Sequence, residues 1–196
     1  MERAIIVEKL LELIAQPFIY FNIKPTHITF LSLFFGIMAS ILFYYSLFLL
    51  SLLFISLSFL LDAVDGYVAR KTNKVTNIGA FIDGVFDRVV EFLFLLSIAL
   101  CFSLFTLQIV LIMVFGTFMH SFLKCYAVYR KVLEEKKVEK FGEFEGLMPR
   151  RIRVFGIILL SLSLIFNYFP FEFSWLFATA SVFSSLHLFI KIIKVN

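Results

Sequence analysis

The sequence predicts an all-α integral membrane protein, with six transmembrane helices preceded by an amphipathic interfacial helix. The first observation is composition: 61% of the 196 residues are hydrophobic, only 16% are charged, and the mean hydropathy is +0.98. Such values are typical of multi-span helical membrane proteins. The second is length, because at roughly 20 residues per crossing about six spans fit and no soluble domain remains. We therefore treat residues 1–196 as a single membrane domain.

The first element, residues 1–21, is predicted as a juxtamembrane amphipathic helix. Apolar residues recur at near-helical spacing from Ile5 to Phe18, and acidic and basic residues lie between them. This pattern is typical of a helix lying in the membrane interface. Pro17 is expected to end or kink it, because proline cannot donate the helical hydrogen bond.

Six apolar runs follow, and each is long enough to cross a bilayer. The predicted crossings are about Thr26–Tyr44, Leu47–Arg70, Asn77–Phe102, Phe105–Tyr129, Ile152–Phe169 and Phe173–Ile193. Prolines mark two of the turns, Pro25 before the first crossing and Pro170 between the last two. The polar segment between the fourth and fifth crossings is predicted to lie at the headgroup level.

The basic residues predict the orientation of the protein. All eighteen Lys and Arg fall at one side of the predicted bundle, and the turns near Tyr45, Phe102 and Phe169 have none. The positive-inside rule then places both termini on the cytoplasmic side of the cell membrane. Topology thus accounts for the net charge of +4, and a nucleic-acid partner is not expected.

The four aspartates of the chain, Asp62, Asp65, Asp83 and Asp87, all lie in one stretch spanning the second and third crossings. The first two are three residues apart and the last two are four apart, so each pair shares one helix face. A short polar connector separates the pairs, so they can face each other at similar depth across a helical hairpin. Carboxylates inside apolar runs are costly to bury and indicate a site.

Four carboxylates that converge in a low-dielectric region stay ionised only when cations compensate them. Oxygen ligands without a cluster of Cys or His suit Mg²⁺, Mn²⁺ or Ca²⁺. A two-metal arrangement is plausible, and such sites serve displacement at phosphorus. The alternative is that these are ordinary helix-end acids paired with Arg70, Lys71 and Arg88.

The stretch resembles the signature of the CDP-alcohol phosphatidyltransferase family. Asp62-x-x-Asp65-Gly66-x-x-Ala69-Arg70, eight further residues and Gly79-x-x-x-Asp83-x-x-x-Asp87 match it at every fixed position. The resemblance implies a phosphotransferase that moves a phosphatidyl-type group from a CDP-linked lipid to a small polar alcohol and releases CMP. It also implies two Mg²⁺ or Mn²⁺ ions and a homodimer.

The resemblance also implies roles for individual residues. The metal ligands would be Asp62, Asp65, Asp83 and Asp87, and Asp87 would also be the base that activates the acceptor hydroxyl. The CDP donor would contact Thr29, Gly66, Arg70 and Thr76.

Cationic residues form a second group, comprising Lys124 in the fourth crossing and Arg150, Arg151 and Arg153 at the start of the fifth. They can bind substrate phosphate, or snorkel to anionic headgroups. The segments around them resemble the family branch whose acceptor is an inositol phosphate, which implies that Lys124, Arg150 and Arg153 bind the acceptor's phosphate. Glycerol phosphate as acceptor, and di-inositol phosphate synthesis, stay open.

A rival hypothesis from another class is a cation transporter, because intramembrane aspartates also mark ion pathways. A transporter would distribute its acidic groups through the depth of the membrane. Here the aspartates cluster near one face, which favours the enzyme.

Overall fold

A computed structural model describes residues 2–102, 104–130, 150–166 and 170–194 of the chain. Every regular element in these ranges is an α-helix. The helices are α1 (Glu2–Tyr20), α2 (Pro25–Tyr44), α3 (Phe48–Lys71), α4 (Asn77–Cys101), α5 (Leu104–Tyr129), α6 (Arg150–Ile165) and α7 (Pro170–Lys194). The all-α prediction is confirmed, and the predicted polar segment after α5 lies almost wholly outside the described residues.

Within the described ranges, four helical segments are long and apolar enough to cross a membrane: Pro25–Tyr44, Phe48–Lys71, Leu107–Tyr129 and Trp175–Ile193. The other two predicted crossings correspond to α4 and α6. Helix α4 contains four charged residues, and α6 has only 16 residues. The count of six spans therefore stays a prediction for these two helices.

The first three helices end in the same way, which makes the turns after them short. Asn22, Ser46 and Asn73 each have a positive φ, between 53° and 62°. The amide after each of them donates to the carbonyl five residues earlier, as Lys74 N does to Ala69 O at 2.9 Å. This is a Schellman cap, and asparagine is among the few residues that tolerate the left-handed conformation.

The structure bears on the predictions made for Pro17 and Pro170. The prediction that Pro17 ends α1 is wrong, because the helix continues to Tyr20, whereas a kink at Pro17 stays a prediction. Pro170 was predicted within a turn, whereas it is the first residue of α7, as Pro25 is of α2. Proline is favoured at the first helical position because its missing N–H needs no partner there.

The chain divides into two compact units, residues 1–97 and 98–196. In the first, α2 and α3 contact each other through small residues. Ser32 Oγ donates to Ser58 O, and Ser58 Oγ donates to Ser32 O, both at 2.8 Å. A Cβ on Gly36 would lie 2.6 Å from Val90 Cγ1, so α4 also approaches α2 closely. In membrane proteins, small residues such as glycine let helices approach closely, and serine hydroxyls form hydrogen bonds between them.

Helix α1 packs against the C-terminal half of α3. Ala15 belongs to a buried cluster with Ile28 and four residues of α3, and Glu12 Oε1 lies 3.7 Å from Lys71 Nζ. The predicted apolar face of α1 divides in two, because Ile14 and Phe18 join this cluster while Leu10 and Leu13 are exposed. The amphipathic pattern is present, and the interfacial position of α1 stays a prediction.

The second unit is centred on α5 and α7. A Cβ on Gly116 would lie 2.7 Å from the backbone carbon of Ser181, so the two helices touch backbone to backbone at this point. Towards the end of both helices, Ala127, Leu188 and Ile192 form a buried cluster.

Candidate metal and substrate site

Three of the four aspartates converge in the first unit. Asp62 on α3 and Asp83 and Asp87 on α4 each offer a carboxylate oxygen, and these oxygens lie within 4.8 Å of one another. All three residues are half-buried. Two oxygens on opposite sides of one Mg²⁺ are about 4.2 Å apart, so the triad is close to the spacing that a shared cation requires. We call these residues the carboxylate triad.

Asp65 lies beside the triad in different surroundings. It is only 5% exposed, and its carboxylate interacts with the side chains of Thr29, Asp83 and Asp62. Its Oδ2 is buried and makes no hydrogen bond within the part of the chain that the structure describes. A buried carboxylate oxygen without a donor is costly, and a cation would satisfy it.

The spacing of the aspartates and the connector between α3 and α4 produce this arrangement together. The Schellman cap at Asn73 ends α3, and Thr76 begins α4 by accepting a 3.0 Å hydrogen bond from the Gly79 amide. This is an N-cap, which fixes the first turn of a helix. The reversal is therefore tight, and the prediction that the aspartate pairs face each other across a hairpin is confirmed for Asp62, Asp83 and Asp87.

The donor set fits a hard divalent cation. The residues that converge supply carboxylate oxygens only, and such ligands suit Mg²⁺, Mn²⁺ or Ca²⁺ rather than zinc. The unsatisfied Oδ2 of Asp65 adds a further ligand atom next to the triad. The residues present therefore fit the metal that the sequence predicts.

Two basic side chains near the aspartates form ion pairs with glutamates. Lys71 pairs with Glu12, and Arg88 pairs with Glu91 on the same helix. The alternative of ordinary acids paired with Lys71 and Arg88 is thus not what the structure shows for these two cations.

Arg70 lies along the acidic face of α3. Its Nη1 is 3.3 Å from the point where a Cβ on Gly66 would lie. Residues 62, 66 and 70 are each four apart, so they share one helix face. The guanidinium thus bends back over the glycine towards the aspartates, where an anionic group could reach both the cation and the open backbone.

The two predicted threonine contacts both have roles within the fold. Thr76 caps α4, and the Thr29 hydroxyl donates to the Pro25 carbonyl oxygen at 3.1 Å. Their predicted contacts with the donor stay predictions.

The residues predicted to bind the acceptor belong to the second unit. Lys124 is half-buried on α5, and Arg150 and Arg153 lie in the first turn of α6, with side chains outside the described set. Their role in acceptor binding stays a prediction.

Residues 22–188 match the family model of CDP-alcohol phosphatidyltransferases. The chain belongs to this family.

Two relatives of known name share 31% identity with this CDP-alcohol phosphatidyltransferase family member. One is the archaetidylinositol phosphate synthase of Pyrococcus horikoshii, over 62% of this chain and 64% of that protein. The other is the bifunctional IPC transferase and DIPP synthase of Archaeoglobus fulgidus, over 62% of this chain but only 22% of that protein. The matched region thus spans less than two thirds of either relative.

Solved structures share the fold. The phosphatidylinositol phosphate synthase of Mycobacterium tuberculosis with CDP-DAG bound superposes with a TM-score of 0.75, covering 94% of both chains at 18% identity. The same protein in complex with manganese and citrate gives a TM-score of 0.76, covering 93% of this chain and 88% of that one. At this identity the likeness establishes the fold.

Among the described residues of this family member, two that are buried and ionisable were not predicted as site residues. Glu91 lies on α4 one turn beyond Asp87, and His120 lies on α5 one turn before Lys124. The family motif ends at Asp87 and so does not include Glu91. The four-residue spacing from a motif residue was the signal available in the sequence for both.

Proposed function

We propose that this protein transfers a phosphatidyl-type or archaetidyl group from a CDP-linked lipid to an acceptor hydroxyl and releases CMP. The observation that carries the proposal is the convergence of Asp62, Asp83 and Asp87 within 4.8 Å, beside the unsatisfied Oδ2 of Asp65. A lone intramembrane acid could serve packing, but three converging acids with a fourth close by call for cations. Membership of the family supports the reaction class.

The four aspartates would hold two divalent ions, Mg²⁺ or Mn²⁺. When bound, these ions would neutralise the diphosphate of the donor and the charge that develops on the departing CMP. The ions would be held in position by Asp62 and Asp65 on α3 and by Asp83 and Asp87 on α4.

The protein's own residues carry the remaining steps. Asp87 takes the proton of the acceptor hydroxyl as general base, and the acceptor oxygen forms a new bond to the phosphorus that carries the lipid. The bond from that phosphorus to the CMP oxygen breaks, and CMP leaves with the electron pair. Arg70, held over Gly66, binds the diphosphate oxygens with a geometry suited to phosphate.

Inositol phosphate is the proposed acceptor, bound through its phosphate by Lys124, Arg150 and Arg153. The named relatives support this choice, since one is an archaetidylinositol phosphate synthase. The bifunctional relative keeps di-inositol phosphate synthesis as a second candidate. The donor would enter from the bilayer, with the site on the cytoplasmic side of the cell membrane, and the protein would act as a homodimer.

The test is a CMP-release assay with purified protein in lipid nanodiscs. Radiolabelled CDP-diacylglycerol and CDP-archaeol are offered with Mg²⁺ or Mn²⁺ and a panel of inositol phosphate, glycerol phosphate, serine and inositol. We expect CMP release with inositol phosphate, its loss in Asp87→Asn, and its retention in Glu12→Gln, a matched carboxylate change on α1. Size-exclusion chromatography with light scattering tests the dimer.

Two results would contradict the proposal. Absence of CMP release with every pair of donor and acceptor would exclude the reaction. Metal-ion flux through liposomes that depends on Asp83 and Asp87, without CMP release, would favour the transporter. A donor made chiral at phosphorus tests the single displacement, which requires inversion.

A further inference from the structure

Glu91 and Arg88 form an ion pair on α4 that the proposed reaction does not use. Glu91 Oε2 accepts a hydrogen bond from Arg88 Nη1 within the same helix. Glu91 is 8% exposed, and the side chain of Arg88 is largely buried. Charges in such surroundings are costly and are commonly functional. Asp87 directly precedes this pair, so a cation stands next to the carboxylates that are proposed to bind metal.

Two Gly-x-x-x-Arg pairs in the site differ in where the guanidinium lies. On α3, Arg70 bends back over Gly66, with Nη1 3.3 Å from the position of a Cβ there. On α4, Arg88 follows Gly84 by the same four residues, yet nothing lies within 4 Å of a Cβ built on Gly84. The space that Arg70 occupies on its helix is thus open beside Gly84.

Arg88 has a different partner from Arg70. Side chains on a helix tilt towards its N-terminus, so an arginine ordinarily covers the turn before it, as Arg70 does. Arg88 instead pairs with Glu91, three residues later, whose own side chain tilts back towards it. This ion pair accounts for the absence of the Arg88 guanidinium from the space beside Gly84.

A guanidinium turned back over Gly84 would move towards the end of α4 that bears Asp83 and Asp87. Arginine stays charged in proteins and forms strong two-pronged bonds to carboxylates. It would therefore compete with a divalent ion for the same oxygens. A buried arginine that has lost its partner has a strong drive to find another carboxylate.

We propose that Glu91 is a positioning residue that holds Arg88 away from the carboxylate triad, so that Arg88 does not compete with a divalent cation for Asp83 and Asp87. This role presupposes the metal site of the proposed function. It adds a residue outside the aspartate motif. It also explains why the space beside Gly84 is open, because the ion pair keeps the Arg88 guanidinium out of it.

The experiment measures Mn²⁺ binding to the purified full chain in nanodiscs, from the electron paramagnetic resonance signal of free Mn²⁺. Glu91→Gln removes the charge that holds Arg88, and we expect the apparent Kd for Mn²⁺ to rise about 10-fold. Adding Arg88→Gln removes the competitor, and the double variant is expected to return to within about 3-fold of the wild type. Arg88→Gln alone is expected to bind Mn²⁺ no more weakly than the wild type.

The rescue separates this role from a merely structural one. If Glu91 only supported the fold, the double variant would bind Mn²⁺ as weakly as Glu91→Gln, and that result would overturn the inference. Wild-type affinity in Glu91→Gln would overturn it as well. Where Glu91→Gln does not fold, Glu91→Asp keeps the charge on a shorter arm, and we expect a rise of about 2- to 3-fold, whereas an unchanged Kd contradicts the inference.

The result also distinguishes this inference from the proposed function. A wild-type protein that binds no Mn²⁺ would overturn the metal site and the role of Glu91 together. A wild-type protein that binds Mn²⁺, with a Glu91→Gln variant that binds it equally well, would overturn the role of Glu91 alone.

Discussion

Asp62 and Asp65 lie one turn apart on α3, yet the structure places them in different surroundings. Asp62 is half-buried and meets carboxylates of α4. Asp65 is buried and meets the hydroxyl of Thr29 on α2. Both carboxylates therefore lie among like charges, which a cation would compensate, but Asp65 is more deeply buried and also interacts with the Thr29 side chain. Asp62 and Asp65, two predicted ligands of one site, thus have different neighbours in the fold.

Asp62→Asn is the strongest way to break the triad, and we expect it to reduce CMP release by on the order of 1,000-fold. The amide keeps the shape of the side chain but removes one of the three converging charges. Initial rates in the nanodisc assay measure the loss, with Glu12→Gln as the matched control. Turnover within about 10-fold of the wild type would show that Asp62 is not needed to hold a cation.

Metal removal is expected to have the next largest effect, and it acts on stability. A cation at 100 times its Kd stabilises the folded protein by about 2.7 kcal/mol, so chelation should lower the thermal unfolding midpoint by several degrees. In Asp62→Asn the shift on chelation should be much smaller, because the triad is incomplete. Midpoints measured with and without Mn²⁺ test this, and equal shifts in both proteins would contradict a cation at the triad.

Thr29→Val tests the interaction between the Thr29 side chain and Asp65. Valine matches threonine in shape but lacks the hydroxyl, so the Asp65 carboxylate loses a polar neighbour. We expect a loss of about 10-fold in Mn²⁺ affinity or kcat, with Thr29→Ser close to the wild type. Saturation curves for Mn²⁺ and for the CDP donor separate the two roles of Thr29. An increase confined to the KM for the donor would instead favour the predicted nucleotide contact.

Features that depend on residues close together in the sequence were predicted best. The predicted helix ends lie within a few residues of the observed ones, because apolar runs and turn residues determine them locally. The meeting of Asp62 with Asp83 and Asp87 was predictable for the same reason, since helical spacing and one short connector determine it. Pro17 does not end α1, because the helix continues through it to Tyr20.

The difference between Asp62 and Asp65 could not be predicted from spacing. It depends on how α2 and α3 pack, and the reciprocal bonds between Ser32 and Ser58 fix that register. Contacts between helices depend on both surfaces at once, whereas a motif describes one helix at a time. Glu91, by contrast, pairs with Arg88 on its own helix, and it was missed because it lies outside the motif.

Thr76→Ala is expected to have the smallest effect, and it tests the frame that holds both kinds of aspartate. The Thr76 hydroxyl accepts from the Gly79 amide at 3.0 Å and so fixes the first turn of α4. Losing such a cap costs about 1 kcal/mol, which should lower the unfolding midpoint by a few degrees. Asp83 lies in the next turn, so Mn²⁺ affinity should fall only slightly, whereas Asp65, on α3, should keep its contact with Thr29. Thr76→Ser retains the cap and serves as control. A large rise in the KM for the CDP donor, with the unfolding midpoint unchanged, would show that Thr76 acts on the substrate rather than on the helix.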